Sequence, residues 1–170
     1  MNGFVSTPAA PASPQGSTVT ADGWFPDVDV NALRAKIRIG DGIATHERMV
    51  SAIEGAMLTA FRALADWRTK QAVAGIAKLE DIGDPEINGK TRAIVLWERI
   101  ILYYSAAGLA DTHRDISATD QGTIRADEER RSSDDYRRMA HAAVADMLSI
   151  PAPGEDAALT KVQRNRVELI

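Results

Sequence analysis

The chain has 170 residues, 45% of them hydrophobic and 26% charged, which is enough for one domain with a sizeable core. Its formal net charge of −4 argues against a protein whose main task is coating phosphates, because such domains usually carry a basic patch. The sequence has no cysteine, which excludes a disulfide framework, a thiolate metal site and a cysteine nucleophile and fits a reducing cytoplasm.

Neither the start of the chain nor its apolar runs indicate a membrane segment. Met1 to Val5 lack the basic start and apolar run of a signal peptide. The longest apolar stretch, Ile100 to Ala110, is shorter than the ~20 residues that span a bilayer. We therefore expect a soluble protein without a membrane partner.

Residues 1–23 form a low-complexity N-terminal arm rich in Pro, Ala, Ser, Thr and Gly. Its three prolines exclude a helix, and little in it offsets the entropy cost of ordering, so we expect it to be mobile alone. After the arm, Asp29 is the expected cap of a short helix from Val30 to about Ile39. A glycine-rich turn at residues 40–42 ends that helix.

The next helix is capped by Thr45 and could run to Gly75. Its apolar positions recur at helical spacing. They are Met49, Ile53, Met57, Ala60, Leu64 and Trp67. An acidic loop rich in helix breakers follows at residues 80–90.

A third helix runs from about Thr91 to Ile116 and is apolar nearly all round, as in the central helix of a bundle. Gly108 inside it predicts a close helix crossing, which would offset the cost of glycine. The segment from Asp120 to Arg131 is hard to place, and a further helical pattern begins at Ser133. We predict an all-α fold, a bundle of three to four helices over residues 24–149, with an N-terminal arm (1–23) and a C-terminal tail (150–170).

No catalytic or binding motif is complete. Gly89-Lys90-Thr91 resembles the end of a phosphate-binding loop, but Asp84 replaces the required glycine and no strand precedes it, so we interpret it as a loop and helix start. Each histidine stands alone, and the paired carboxylates are typical of solvated faces. We therefore expect no enzyme activity, no cofactor and no metal ion.

Two adjacent aromatic residues, Trp24 and Phe25, precede the first helix and are followed by Pro26. They either cover the core of their own subunit or anchor the N-terminal segment on a neighbour. Both interpretations stay open at this point, because burial of such rings stabilises either arrangement by roughly 2–3 kcal/mol each.

Several motifs occur in an order and spacing that resembles the head completion family of peduovirus-type tailed phages, the gene-L product. The motifs are Trp24-Phe25-Pro26-Asp27-Val28-Asp29, Glu47-Arg48, Trp67-Arg68, Ile87-Asn88-Gly89, Thr112-His113-Arg114-Asp115 and the ending Val167-Glu168-Leu169-Ile170. The resemblance covers about residues 22–170. It departs at Ile100, where the family has alanine, so packing around the third helix is expected to differ.

The resemblance implies a helical head–tail adaptor that joins the portal ring after genome packaging and stabilises the DNA-filled head. Copies would form a ring, expected to be twelve-fold, that continues the DNA channel and docks a downstream connector, tail terminator or tail. DNA would pass through without sequence-specific binding. Synthesis in the host cytoplasm and a final place in the virion neck follow from this role. The alternative is a packaging-related nucleic-acid-binding protein.

Two sets of residues are the candidates for this role. Expected contacts with the portal or a neighbour are Trp24, Phe25, Pro26, Lys161, Arg164, Arg166, Val167, Leu169 and Ile170. Candidates for facing the channel are Asp127, Glu128 and Glu129, or the acidic loop Glu80–Glu86, although a solvated outer face fits them equally well.

Overall fold

The computed structural model describes residues 13–37, 44–83, 85–116 and 122–155, and gives only the backbone for residues 113–116 and 122–132. Four helices dominate these residues, which confirms the predicted all-α bundle. They are α1 (Val30–Lys36), α2 (His46–Val73), α3 (Arg92–Ile116) and α4 (Gly122–Leu148). Two short antiparallel pairs accompany them: β1 (Thr18–Val19) with β2 (Val28–Asp29), and β3 (Glu86–Ile87) with β4 (Lys90–Thr91).

Helix α2 forms as its sequence predicts. The Thr45 side chain accepts a hydrogen bond from the backbone N–H of Arg48, so it caps the helix. The predicted apolar stripe, from Met49 to Trp67, is buried along its whole length. After α2, Gly75 adopts a left-handed φ of 97°, which a residue with a side chain rarely tolerates.

Helix α3 is the centre of the bundle, because it packs against both α2 and α4 while those two helices touch each other little. Its segment Arg92–Thr112 is long and apolar enough to cross a membrane by length and composition, but 50% of it is buried inside the protein. That burial is what the core helix of a bundle requires. Ile100, the position that departs from the family pattern, is completely buried in this core.

Three local predictions differ from the structure. Helix α4 begins at Gly122 rather than Ser133, because the intervening Glu and Arg residues favour a helix without forming an apolar stripe. Residues 86–91 form a hairpin around Asn88 and Gly89 rather than a plain loop. Helix α1 ends at Lys36, earlier than predicted, and the turn at residues 40–42 lies outside the described residues.

The close helix crossing predicted at Gly108 is wrong. Among the atoms that the structure describes, none lies within 4 Å of a Cβ atom built on Gly108, so the described backbones of α2 and α4 do not closely approach this glycine. The glycine instead faces open space between helices.

Both predicted domain boundaries fall inside packed segments. Strand β1 pairs with β2 through Val19 and Val28, and the backbone N–H of Val30 donates to the carbonyl oxygen of Ser17 at 3.0 Å. At the other end, Ile150 and Ala152 are buried against the bundle. The described part of the domain therefore spans residues 13–155, because each end gains backbone hydrogen bonds and apolar contacts that compensate for its ordering.

Candidate interaction surfaces

The rings of Trp24 and Phe25 lie in the core of their own subunit, where they are 7% and 3% exposed. Phe25 stacks on Trp97 with ring centroids 4.4 Å apart, and Trp24 meets Trp67 edge to face at 5.8 Å. Of the two arrangements that the sequence allows, the structure thus has the one in which both rings cover the core of their own subunit. An additional contact of these residues with a neighbour stays a prediction, and it would have to use the half-buried Pro26 and the outer edges of the rings.

Backbone hydrogen bonds fix the N-terminal segment over α2 and α3. The indole N–H of Trp24 donates to the carbonyl oxygen of Ile76 at 3.2 Å, and the N–H of Leu79 donates to the carbonyl of Trp24 at 3.0 Å. The indole N–H of Trp97 donates to the carbonyl of Pro26 at 3.1 Å. Both indole groups therefore find the acceptor that a buried Trp needs.

Arg68 holds the same segment from the side of α2. Its guanidinium carbon lies 5.5 Å from the ring centre of Trp24 and 5.7 Å from that of Phe25, within the range of cation–π attraction. The guanidinium also pairs with the carboxylate of Asp22, whose other oxygen accepts the backbone N–H groups of Trp24 and Phe25. The Trp24-Phe25 and Trp67-Arg68 motifs of the sequence thus form one assembly.

A second attachment holds the start of the C-terminal tail. The indole N–H of Trp67 and the amide of Gln71 both donate to the carbonyl oxygen of Ile150, at 2.8 and 3.3 Å. Lys70 and Glu155 form an ion pair at 3.6 Å. Gln71 was not singled out from the sequence, although a glutamine at an apolar position of α2 is the signal that would have found it.

Three helices surround a concave site of about 490 Å³, which we call the three-helix groove. Helix α2 supplies small residues such as Ala52 and Gly55, α3 supplies Gly108 and Tyr104, and α4 supplies the rim residue Arg137. A Cβ built on either glycine meets nothing within 4 Å. The groove is therefore open above a floor of small side chains.

The rim of the groove carries polar groups that interact within the subunit. Arg137 pairs with the carboxylates of Asp111 and Asp134, and the hydroxyl of Ser133 donates to Asp111 at 2.8 Å. The ring of Tyr104 lies edge to face with that of His141, and partial burial raises the pKa of the Tyr104 hydroxyl.

The β3–β4 hairpin projects before α3. Asn88 and Gly89 have φ angles of 53° and 73°, the left-handed conformations of a tight two-residue hairpin turn. Ile87 beside the turn is 54% exposed. Gly89-Lys90-Thr91 thus leads into a helix, as interpreted from the sequence, but from a hairpin rather than a loop, and the hairpin places the Lys90 amino group against the Glu98 carboxylate.

Glu98 lies between two lysines. Its carboxylate pairs with Lys90 and, at 3.3 Å, with Lys36. Burial of Glu98 opposes its ionisation, but the hydrogen bond from Lys90 and the charge of Lys36 outweigh burial, so the pKa of Glu98 lies below its ordinary value of 4.5. This cluster joins α1, the hairpin and α3.

The remaining candidates have less structural description. Asp127, Glu128 and Glu129 lie on the N-terminal half of α4, in the part described only by its backbone. Lys161, Arg164, Arg166, Val167, Leu169 and Ile170 lie outside the described residues. Among the side chains that the structure describes, no group of three His, Asp or Glu residues is arranged to hold a metal ion.

The amino-acid sequence can now be compared with those of known proteins. The sequence model of the phage head completion protein (GPL) family matches residues 19–153. The chain belongs to this family. It is 27% identical over 128 residues to the head completion/stabilization protein of Escherichia phage P2, and the alignment covers 75% of each chain. No solved structure matches it.

This phage head completion protein is thus a virion-associated structural protein. The matched range begins inside β1 and ends beyond Ile150, so it contains the three-helix groove and both attachments described above except Glu155. The tail residues from Lys161 to Ile170 lie outside the matched range. The family match therefore supports the domain more directly than the tail.

Proposed function

We propose that this head completion protein acts as a head–tail adaptor in the virion neck. Copies add to the portal ring after packaging, form a ring of their own, continue the DNA channel and stabilise the DNA-filled head. The ring matches the portal in number, which we expect to be twelve, and its far side docks a downstream connector, tail terminator or tail. The observation that carries this proposal is the family match over residues 19–153, which covers nearly the whole described domain.

The C-terminal tail is the proposed contact with the portal. The bonds of Trp67 and Gln71 to Ile150 fix the point at which the chain leaves the bundle. Beyond it, Lys161, Arg164 and Arg166 supply positive charge, and the chain ends in Leu169 and Ile170. A segment with basic and apolar residues suits a groove or a sheet edge on a partner.

DNA passes through the proposed ring without being read. The net charge of −4 suits a channel that does not hold its cargo. Asp127, Glu128 and Glu129 on α4, or the loop Glu80–Glu86, line the channel in this proposal. Replacing Asp127, Glu128 and Glu129 with lysine should slow DNA ejection without preventing assembly, and an unchanged ejection rate would place them outside the channel.

Native mass spectrometry of the full chain with portal rings of the same phage tests the proposal. We expect monomers alone and a fixed number of copies on each portal ring, because repetition around a ring stabilises contacts that are weak in isolation. Chains that do not bind the portal rings would overturn the adaptor function. Affinity for DNA that falls steeply with salt concentration would then favour the nucleic-acid-binding alternative.

A further inference from the structure

No residue that the structure describes occupies the three-helix groove. Its two glycines, Gly55 and Gly108, lower helix stability relative to alanine, yet no described atom of another helix lies within 4 Å of a Cβ built on either of them. Its floor is formed by Ala52, Ala107 and other small side chains. An open apolar concavity of about 490 Å³ has the size of a site that receives an inserted side chain or a hairpin tip.

The β3–β4 hairpin has the complementary shape. Its turn at Asn88 and Gly89 is a tight one, and the N–H of Arg92 donates to the carbonyl of Pro85 at 3.1 Å, which closes its base. The hairpin is therefore stiff, and it presents the half-exposed Ile87 on one face and Glu86 on the other.

A subunit cannot fill its own groove with its own hairpin. The hairpin ends where α3 begins, at Arg92, whereas Gly108 lies sixteen residues further on, about 24 Å along the helix axis. Any contact between the two features must join different copies. Such a contact is head-to-tail, and head-to-tail contacts generate closed rings when the rotation between copies closes.

We propose that the β3–β4 hairpin of one copy inserts Ile87 into the three-helix groove of the next copy. The floor of small residues receives the Ile87 side chain, and Glu86 meets the rim that carries Arg48 and Arg137. Because Arg137 already pairs with Asp111 and Asp134, this charge contact sets orientation more than affinity. The inference rests on the proposed ring of copies and names the surfaces through which it closes.

The absence of native cysteine allows a direct test. The double variant Ser51→Cys/Lys90→Cys places one thiol in the groove and one on the hairpin, directly opposite Ile87, whose side chain is kept. With a short bismaleimide, we expect a covalent ladder of dimers, trimers and larger species, both on portal rings and in concentrated protein alone. The matched pair Val73→Cys/Lys90→Cys, whose first thiol lies at the exposed end of α2, about 33 Å along the helix from Ser51 and outside the groove, should stay monomeric.

Filling the groove gives a second, independent measurement. Gly55→Leu/Gly108→Phe should keep the Tm, because no described atom lies within 4 Å of either Cβ and both residues favour a helix more than glycine does, while the ladder disappears when Ser51→Cys/Lys90→Cys is combined with it. Gly55→Ala/Gly108→Ala should keep both the Tm and the ladder. A filled groove that still gives the ladder overturns the inference. So does a 51–90 pair that gives no ladder both on portal rings and in concentrated protein alone.

The two proposals can fail separately. Copies that load onto the portal in a fixed number without 51–90 cross-links would keep the adaptor function and overturn the hairpin contact. Copies that form the ladder in concentrated solution but never load onto the portal would keep the hairpin contact and overturn the adaptor function.

Discussion

The indole nitrogen of Trp67 lies 2.8 Å from the carbonyl oxygen of Ile150, although the two residues are 83 positions apart in the chain. This bond joins the middle of the domain to the point where the tail begins. Since Trp67 also contacts Trp24, the same side chain links the tail to the N-terminal segment.

Replacing Trp67 with phenylalanine should remove this bond and leave the buried Ile150 carbonyl with the longer bond from Gln71. We expect a loss of about 1–3 kcal/mol in the free energy of unfolding, because a buried acceptor loses its better donor. Urea denaturation followed by circular dichroism measures it. Gln71→Met is the matched comparison and should cost less, because it also removes an oxygen that has no hydrogen-bond partner. Equal losses in the two variants would contradict the assignment of Trp67 as the better of the two donors to the Ile150 carbonyl.

Replacing Trp24 and Phe25 together with alanine should unfold the subunit. Each ring is buried in the core, and truncation of a buried aromatic side chain costs about 3–5 kcal/mol. Helicity at 222 nm and the thermal transition measure the result, with Leu58→Ala on the exposed face of α2 as the control. A double variant that kept full helicity and lost only portal binding would support the interface interpretation instead.

Arg68→Lys should destabilise the domain even though the charge is kept. Lysine can still pair with Asp22, but it lacks the planar guanidinium that lies over Trp24 and Phe25. We expect a loss of about 1 kcal/mol in the free energy of unfolding. Arg62→Lys, at an exposed position of the same helix, serves as the control. Equal stability of Arg68→Lys and the native chain would exclude a role for the stacked guanidinium.

The Glu98 cluster should make stability depend on acid pH. Because the pKa of Glu98 is lowered on folding from its ordinary 4.5, its contribution is present above that value and is lost as pH falls through the folded pKa. In Glu98→Gln, unfolding measured at a series of pH values should therefore show a flatter decline below about pH 4.5. Identical declines in the native chain and the variant would show that the pairing of Glu98 with the two lysines does not cause the loss of stability at acid pH.

Deletion of residues 156–170 should abolish portal binding and leave the domain folded. The deleted segment follows Glu155, so the bonds to Ile150 and the Lys70–Glu155 ion pair remain. Binding to portal rings and the thermal transition are measured in parallel. Deletion of residues 2–12, which precede the described domain, is the matched control and should retain binding. Retained binding after loss of the tail would exclude it as the portal contact.

Local signals made part of this fold predictable. The Thr45 cap and the apolar stripe of α2 depend on residues within a few turns of each other, so the sequence alone indicates them. The first eleven residues of α4 show no such stripe, and their helix was missed. The place of Trp24 and Phe25 depends on Trp97, more than 70 residues away, which no periodicity reveals.

The three-helix groove, too, could not be predicted from the sequence. Gly108 was correctly noticed, but a glycine in a helix is compatible with both a close crossing and an open concavity. The choice between them depends on how α2, α3 and α4 diverge, and the spacing of residues along one helix does not contain that information.

The neighbouring positions of Trp67 and Arg68 have a mechanical consequence. Trp67 carries the attachment of the tail, and Arg68 carries that of the N-terminal segment, so both tethers end within one turn of α2. A tensile load on the tail is thereby transmitted to the N-terminal segment across a single peptide unit. Melting of that one turn would break the Trp67–Ile150 bond and the Arg68 contacts together, which makes it the shared weak point of the two attachments, although the bonds of the N-terminal segment to Ile76, Leu79 and Trp97 would remain.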